Sequence, residues 1–247
     1  MRRVAGWVWL EFGLAVVTFA ALRFVTAPYG RHERSGWGPT VPARAGWLLM
    51  ETPAAVLFAV FWATGENRAG LVPVLLLVMW ECHYCYRAFW YPFLLRGRTR
   101  MPVLVVLLAI GFNTLNAWVN GRWITAYGSY PLSWLADPRF IVGAALFVLG
   151  LSVHVRADRT LRALRNGGAG YRIPQGGPYR WVSCPNYLGE IVEWSGWALA
   201  AWSPAGAAFA AYTVANLAPR ALDHHKWYRD TFPDYPPARR ALVPYLL

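Results

Sequence analysis

Apolar residues in this chain come in long runs broken by short polar gaps. A membrane-spanning helix needs about 20 consecutive, mainly apolar residues. Seven stretches meet that need: 5–26, 45–64, 70–94, 102–121, 139–156, 186–203 and 204–219. The sixth and seventh are parted only by Ser203-Pro204, where the proline can end one helix and open the next. The first follows Met1-Arg2-Arg3 like a signal peptide, but its apolar region is long and no small-x-small cleavage site follows, so it reads as a span. The pattern predicts an all-α integral membrane protein with seven transmembrane helices, forming a single domain over 1–247.

The gaps set the expected orientation. The loops 27–44, 95–101 and 157–185, the tail after 219 and Arg156 together carry seventeen of the 24 Lys and Arg. The opposite side carries five: Arg2, Arg3, Arg68, Arg122 and Arg139. The positive-inside bias therefore predicts an outside N-terminus and a cytoplasmic C-terminus. Composition agrees: 57% of residues are hydrophobic and 15% charged, against roughly 25% charged in soluble domains. The net charge of +12 is spread through the gaps without a long basic tract, so no nucleic-acid partner is expected. Cys82, Cys85 and Cys184 form no disulfide framework, and Cys82-x-x-Cys85 reads as helix packing. One lysine, Lys226, and many alanines fit a GC-rich bacterial genome. The expected location is the bacterial inner membrane, or the endoplasmic reticulum in a eukaryote.

Ionisable groups at membrane depth are costly and usually mark a site. Glu11 lies in the first span, Glu51 in the second, Glu81, His83, Tyr84 and Arg87 in the third, and Glu190 and Glu193 in the sixth. Residues three or four apart share a helix face. Tyr84, Arg87 and Tyr91 thus form one stripe; His154, Asp158, Arg162 and Arg165 a second; Asn186, Glu190 and Glu193 a third; Arg220, His224 and Tyr228 a fourth. Together they predict a polar cavity open to the cytosol and walled by aromatic residues. Plainer readings stand beside this one. The arginines of 156–165 suit a solvated, topology-setting helix, and Asp158 with Arg162 suits a surface ion pair. Glu11 suits a structural pair with a loop arginine. His224-His225 lacks a matching ligand set, so no metal is expected. A mid-span carboxyl and phenol, Glu51 and Tyr84, have few structural uses.

Three strings, "HYCYRAFWYPFLLRGR", "YRIPQGGPYRWVSCPNYLGEIVEW" and "FPDYPPARRALVPYLL", resemble the steroid 5α-reductases, the membrane 3-oxo-5α-steroid 4-dehydrogenases. The resemblance runs from "AGWLLMETPAAV" onward. It implies a seven-helix enzyme that binds NADPH within the bundle and reduces the double bond of a 3-oxo-Δ4 steroid such as testosterone or progesterone, in contact with membrane lipid. It assigns Glu51 and Tyr84 to the substrate ketone. Cofactor contacts carry over to Arg87, Tyr91, Arg98, Asp158 and Arg165, and to Asn186, Glu190, Arg220, His224 and Tyr228. His154 and Arg162 from the second stripe, with Tyr171 and Arg172 from the loop string, complete the candidate cofactor set. The chain departs from animal members at Met50, where they have Gln, at His154, where Asn is expected, and at Asp223, the first place of a triple His.

The chemistry suits these residue types. Hydride added at C5 of an enone leaves charge on the C3 oxygen, and a donor placed there lowers the barrier. Tyr84 offers a phenol O–H, and a protonated Glu51, the form favoured by a low-dielectric site, offers a second. The enolate then takes a proton at C4, expected from water. No G-x-G-x-x-G is present; the arginines match phosphate geometry instead. One rival is an S-adenosylmethionine-dependent membrane methyltransferase acting on a lipid. "GPYRWVSCPNYLGE" resembles the "GPYRYVRHPxYxG"-like string of the isoprenylcysteine carboxyl methyltransferases, but Cys184-Pro185 replaces their His-Pro and Glu51 and Tyr84 would have no role. Reduction of another lipid enone and non-catalytic sterol binding are the remaining alternatives.

Overall fold

The computed structural model describes residues 2–95, 99–165 and 170–247, the side chains of Arg2, Arg3 and Arg165 excepted. It is mainly helical. Helices α1 (Arg2–Phe24), α2 (Ala43–Ala63), α3 (Leu71–Tyr84), α4 (Tyr91–Leu94), α5 (Val103–Arg122), α6 (Pro138–Arg165), α7 (Pro185–Ala201) and α8 (Pro204–Thr231) follow in order. Among the described residues four helical stretches are long and apolar enough to cross a membrane: Val4–Phe24, Ala43–Ala63, Val103–Tyr127 and Pro138–Leu164. Large apolar side chains such as Trp9, Val16, Phe24, Leu108 and Val148 face outward, as a lipid-facing surface requires.

All seven apolar stretches coincide with helical segments, but three differ in detail. The third is interrupted by a π-helical turn, Cys85–Trp90, where the Tyr91 N–H reaches back to the Tyr86 carbonyl. The helices α6 and α8 run beyond the expected ends at 156 and 219, because their polar ends pack on protein; Asp158 and Tyr228 are both buried. Pro219 sits inside α8 without ending it. The break between α7 and α8 forms as expected. Trp202 takes a left-handed conformation with φ 41°, and the Ser203 hydroxyl caps α8 by accepting from the Gly206 N–H at 3.0 Å, with Pro204 in the first turn.

Close packing of α6 on α7 rests on glycine. Gly143 and Gly150 of α6 face Gly196 and Gly189 of α7, each within contact of the other helix's backbone. A Cβ on Gly189 would stand 2.6 Å from the His154 nitrogen, so no larger residue fits. An aromatic cluster fills the centre. Phe58 stacks on Trp80 at 4.1 Å, and Trp80 meets Trp197 at 5.2 Å. Each indole satisfies its N–H across a helix boundary, Trp80 to the Ala54 carbonyl and Trp197 to that of Leu76.

At one end the loops are tied together. Strand β1 (Thr40–Pro42) pairs antiparallel with β2 (Arg100–Pro102), immediately before α2 and α5. The C-terminal segment joins the turn before α7, where the Ser183 N–H bonds the Arg240 carbonyl at 2.8 Å.

Candidate functional site

A cavity of about 830 Å³ lies among the helices. One wall is apolar, built from Leu14, Val17 and Ala21 of α1 with Phe112 of α5. The other carries charge from α2, α3, the π turn and α6 to α8. A smaller cavity of about 140 Å³ adjoins it, sharing Tyr29, Trp47, Asp158, Asn186 and Arg220.

Tyr84 is the last residue of α3, and its side chain is 4% exposed. Trp80 and Trp194 hold its ring at 5.0 and 5.5 Å. Among the described residues its hydroxyl has no hydrogen-bond partner, and the ring lines the large cavity. Glu51, on α2, lines the same cavity and accepts a 3.4 Å hydrogen bond from the Asn113 amide of α5. The phenol and the carboxyl thus face one space from two helices, as expected.

Arg87 enters from the π turn. Its guanidinium lies over Trp47 at 4.4 Å and Tyr91 at 4.8 Å, with Glu51 at 3.7 Å and Asp158 at 3.8 Å. These are ion-pair distances too long for hydrogen bonds. Among the described residues neither its Nε nor Oδ2 of Asp158 has a hydrogen-bond partner. Asp158 Oδ1 accepts a 3.3 Å bond from the Asn186 amide. The surface-pair reading of Asp158 with Arg162 therefore gives way: Asp158 is buried towards Arg87 and His154, while Arg162 donates to the Tyr86 hydroxyl at 2.8 Å.

The remaining candidates divide by location. Tyr91, His154, Asn186, Glu190 and Arg220 line the large cavity. Arg162 and His224 line the small one. Arg220 lies over Tyr29 and Tyr187 and makes no ion pair among the described residues. Tyr171 and Tyr228 line neither of these cavities; both rings lie beneath the Arg31 guanidinium, at 5.5 and 4.5 Å. Arg172 is exposed and lines neither. Arg98 and the side chain of Arg165 lie outside the described residues.

Several residues entered the site unannounced. Asn113 bonds both the Met50 carbonyl and Glu51, and it shares a face of α5 with buried Asn116 and Asn120. That amide stripe inside an apolar run was the available signal. Arg31 and His32 come from the loop after α1. His32 Nε2 lies 3.0 Å from His224 Nδ1, with the rings stacked at 4.9 Å. Burial and the neighbouring Arg31 charge push the His32 imidazole below its ordinary range. His224 also meets the Tyr187 hydroxyl at 3.0 Å, and His225 meets Ser183 at 2.6 Å, so both rings of the His pair serve hydrogen bonds. Glu11 differs from its expected loop pairing: fully buried, it has no hydrogen-bond partner among the described residues. A separate trio, His83, His154 and Glu193, brings its ligand-type atoms within 4.8 Å of one another.

The 3-oxo-5-alpha-steroid 4-dehydrogenase family model matches residues 99–247. Similar proteins include 3-oxo-5-alpha-steroid 4-dehydrogenase 1 of Bos taurus, 42% identical over 97% of this chain and 95% of its own length. The Homo sapiens protein of that name is 39% identical over 99% of this chain and 96% of its own. Steroid 5-alpha-reductase DET2 of Gossypium hirsutum is 42% identical over 94% of this chain and 93% of its own.

Proposed function

Since this chain belongs to the 3-oxo-5-alpha-steroid 4-dehydrogenase family, an oxidoreductase family, we propose that it reduces the Δ4 double bond of 3-oxo-Δ4 steroids to the 5α-dihydro products with NADPH. The observation that carries this reading is Tyr84: a buried phenol, its hydroxyl without a hydrogen bond among the described residues, facing a largely apolar cavity that Glu51 also lines.

The residues fit the cofactor. Among the described residues Arg87 Nε is a buried donor without a hydrogen-bond partner, and Arg162 and Arg220 border the cavities with no carboxylate in ion-pair range. Planar guanidinium forks suit phosphate oxygens. Arg87, Arg162 and Arg220 would hold the anionic part, with Asn186, Glu190 and Asp158 left for hydroxyl or amide groups. NADPH, when bound, supplies the hydride that reduces C5. Tyr84 donates to the C3 oxygen as charge develops there, and a protonated Glu51 donates beside it. Asn113 keeps the Glu51 carboxyl turned to that position. Trp80 and Trp194 keep the phenol in place and exclude water from it.

The same reading sets seven helical segments across the membrane as one domain, with the N-terminus outside and the C-terminus cytoplasmic. Its support is the seventeen-to-five bias of Lys and Arg. A bacterial inner membrane is the proposed location, and reporter fusions at the two termini check the orientation.

The deciding assay is chemical. Detergent-purified protein is given testosterone or progesterone with NADPH, and the product is read by mass spectrometry and chiral chromatography. A 5α product two mass units heavier is expected. No product together with saturable binding of S-adenosylmethionine in place of NADPH would overturn the reading in favour of methyl transfer.

A further inference from the structure

Glu193 has no part in the chemistry described so far, yet it is the most enclosed carboxylate near the site. Its side chain is 0% exposed, on α7 between α3 and α6. Oε1 lies 2.8 Å from His83 Nδ1, and Oε2 lies 3.3 Å from His154 Nδ1. Both imidazoles are themselves buried, at 2% and 1% exposure. One carboxylate therefore holds two rings from two other helices.

The two rings lead to opposite ends of the site. His83 directly precedes Tyr84 and meets its ring edge-on at 4.9 Å. It also packs edge-on against Trp194 at 4.7 Å, and Trp194 in turn supports Tyr84. His154 turns its other nitrogen, Nε2, towards Asp158 at 3.5 Å and Glu190 at 3.9 Å, both on the charged wall. We propose, building on the reductase reading above, that Glu193 is a positioning residue: through His83 it fixes the Tyr84 phenol, and through His154 it fixes the Asp158–Glu190 wall.

The physical case rests on donor and acceptor counting. A carboxylate accepts at both oxygens, so both rings can present Nδ1–H to it at once. His83 can then keep one defined tautomer, while His154 needs N–H at both nitrogens, because its Nε2 faces the Asp158 and Glu190 carboxylates. A carboxamide of the same shape has only one acceptor atom, and its NH2 must face the other ring. One imidazole then has to change tautomer or turn away. The packing allows no easy relief, because a Cβ at either Gly150 or Gly189 would already collide with the opposing backbone beside Glu193 and His154. The hydrogen bonds also account for the trio without a metal ion, although its donor set, two imidazoles and a carboxylate, is one that zinc uses.

The test compares Glu193→Gln, Glu193→Asp, His83→Gln and the Glu193→Gln/His83→Gln double variant with the full-length protein in detergent. Glu193→Gln should lower kcat by about tenfold or more while steroid KM stays within about threefold, and should weaken NADPH binding, read by tryptophan fluorescence. Glu193→Asp should recover part of the loss. The double variant should be no worse than Glu193→Gln, because both changes cut one path. A residue that only supports the fold would lower the thermal midpoint and leave the kcat-to-KM split unmoved. Wild-type kcat and NADPH affinity in folded Glu193→Gln, or additive losses in the double variant, would overturn the proposal. So would one equivalent of bound zinc in the purified wild type, which would make the trio a metal site.

Histidine ring NMR separates this proposal from the reductase reading, because it needs no substrate. Both Nδ1–H signals should be present in the wild type and one should be lost in Glu193→Gln, whether or not a steroid turns over. Should Glu193→Gln fail to fold, His83→Gln carries the same kinetic prediction for the phenol end alone.

Discussion

The guanidinium of Arg87 lies 3.7 Å from the nearest carboxyl oxygen of Glu51, too far for a hydrogen bond. The group is buried and lies over the rings of Trp47 and Tyr91, and its Nε has no hydrogen-bond partner among the described residues. Its donors are thus oriented before anything binds. Arg87→Lys keeps the charge but loses the planar fork and the stacking. NADPH affinity should fall by about tenfold or more, measured by fluorescence titration. Unchanged affinity would remove Arg87 from the cofactor site.

Tyr84→Phe removes one oxygen from a ring held by Trp80 and Trp194, so the packing should survive. Turnover should fall by at least about a hundredfold, with NADPH affinity unchanged, because only the donor to the C3 oxygen is lost. Near wild-type turnover would sink the assigned role.

Gly150→Ala places a methyl group against the Glu193 backbone in the α6–α7 contact. A loss of about 1–3 kcal/mol is expected, seen as a lower thermal midpoint, together with weaker NADPH binding because His154 shifts with α6. Gly6→Ala is the control: its Cβ would meet nothing within 4 Å, so its midpoint should hold or rise.

Glu11→Leu should stabilise the protein. The Glu11 carboxyl is fully buried among Val4, Val8 and Ala15 on one face of α1 and has no hydrogen-bond partner among the described residues. A buried polar group left unpaired costs about 1–3 kcal/mol. The thermal midpoint should rise by a few degrees, at roughly 2–4 °C per kcal/mol for a chain of this size. A lower midpoint would show that the carboxyl is satisfied in solution.

Much of this architecture is readable along the chain, because apolar runs and helical spacing are local properties. Glu51, Tyr84, Arg87, Asp158, Asn186, Glu190 and Arg220 stand out as polar groups in helical stripes within or just beyond the apolar runs, and the fold gathers them around one cavity. Periodicity states which residues share a face, but not which face meets which helix. Where two helices pack in lipid, small residues and polar pairs decide their contact. The pairing of Glu193 with His83 and His154, residues 110 and 39 positions away, was hidden for that reason. The Asn113 bond to Glu51 and the glycine contact of α6 with α7 were hidden in the same way. Arg31 and His32 gave no periodic signal, since they reach the site from a single 3₁₀ turn, Gly30–His32, too short to show one.

The π-helical turn at Cys85–Trp90 holds one more residue than an α-helical turn would, since the Tyr91 N–H reaches back five residues. Deleting one residue between Tyr84 and Tyr91 would let the segment close into an ordinary α-helix, leaving the residues after it in nearly their present register. Arg87, carried by the wide turn itself, would lose the placement that sets its guanidinium beside the space Tyr84 faces. A single-codon gap here should therefore spare the fold and cost the arginine's contacts.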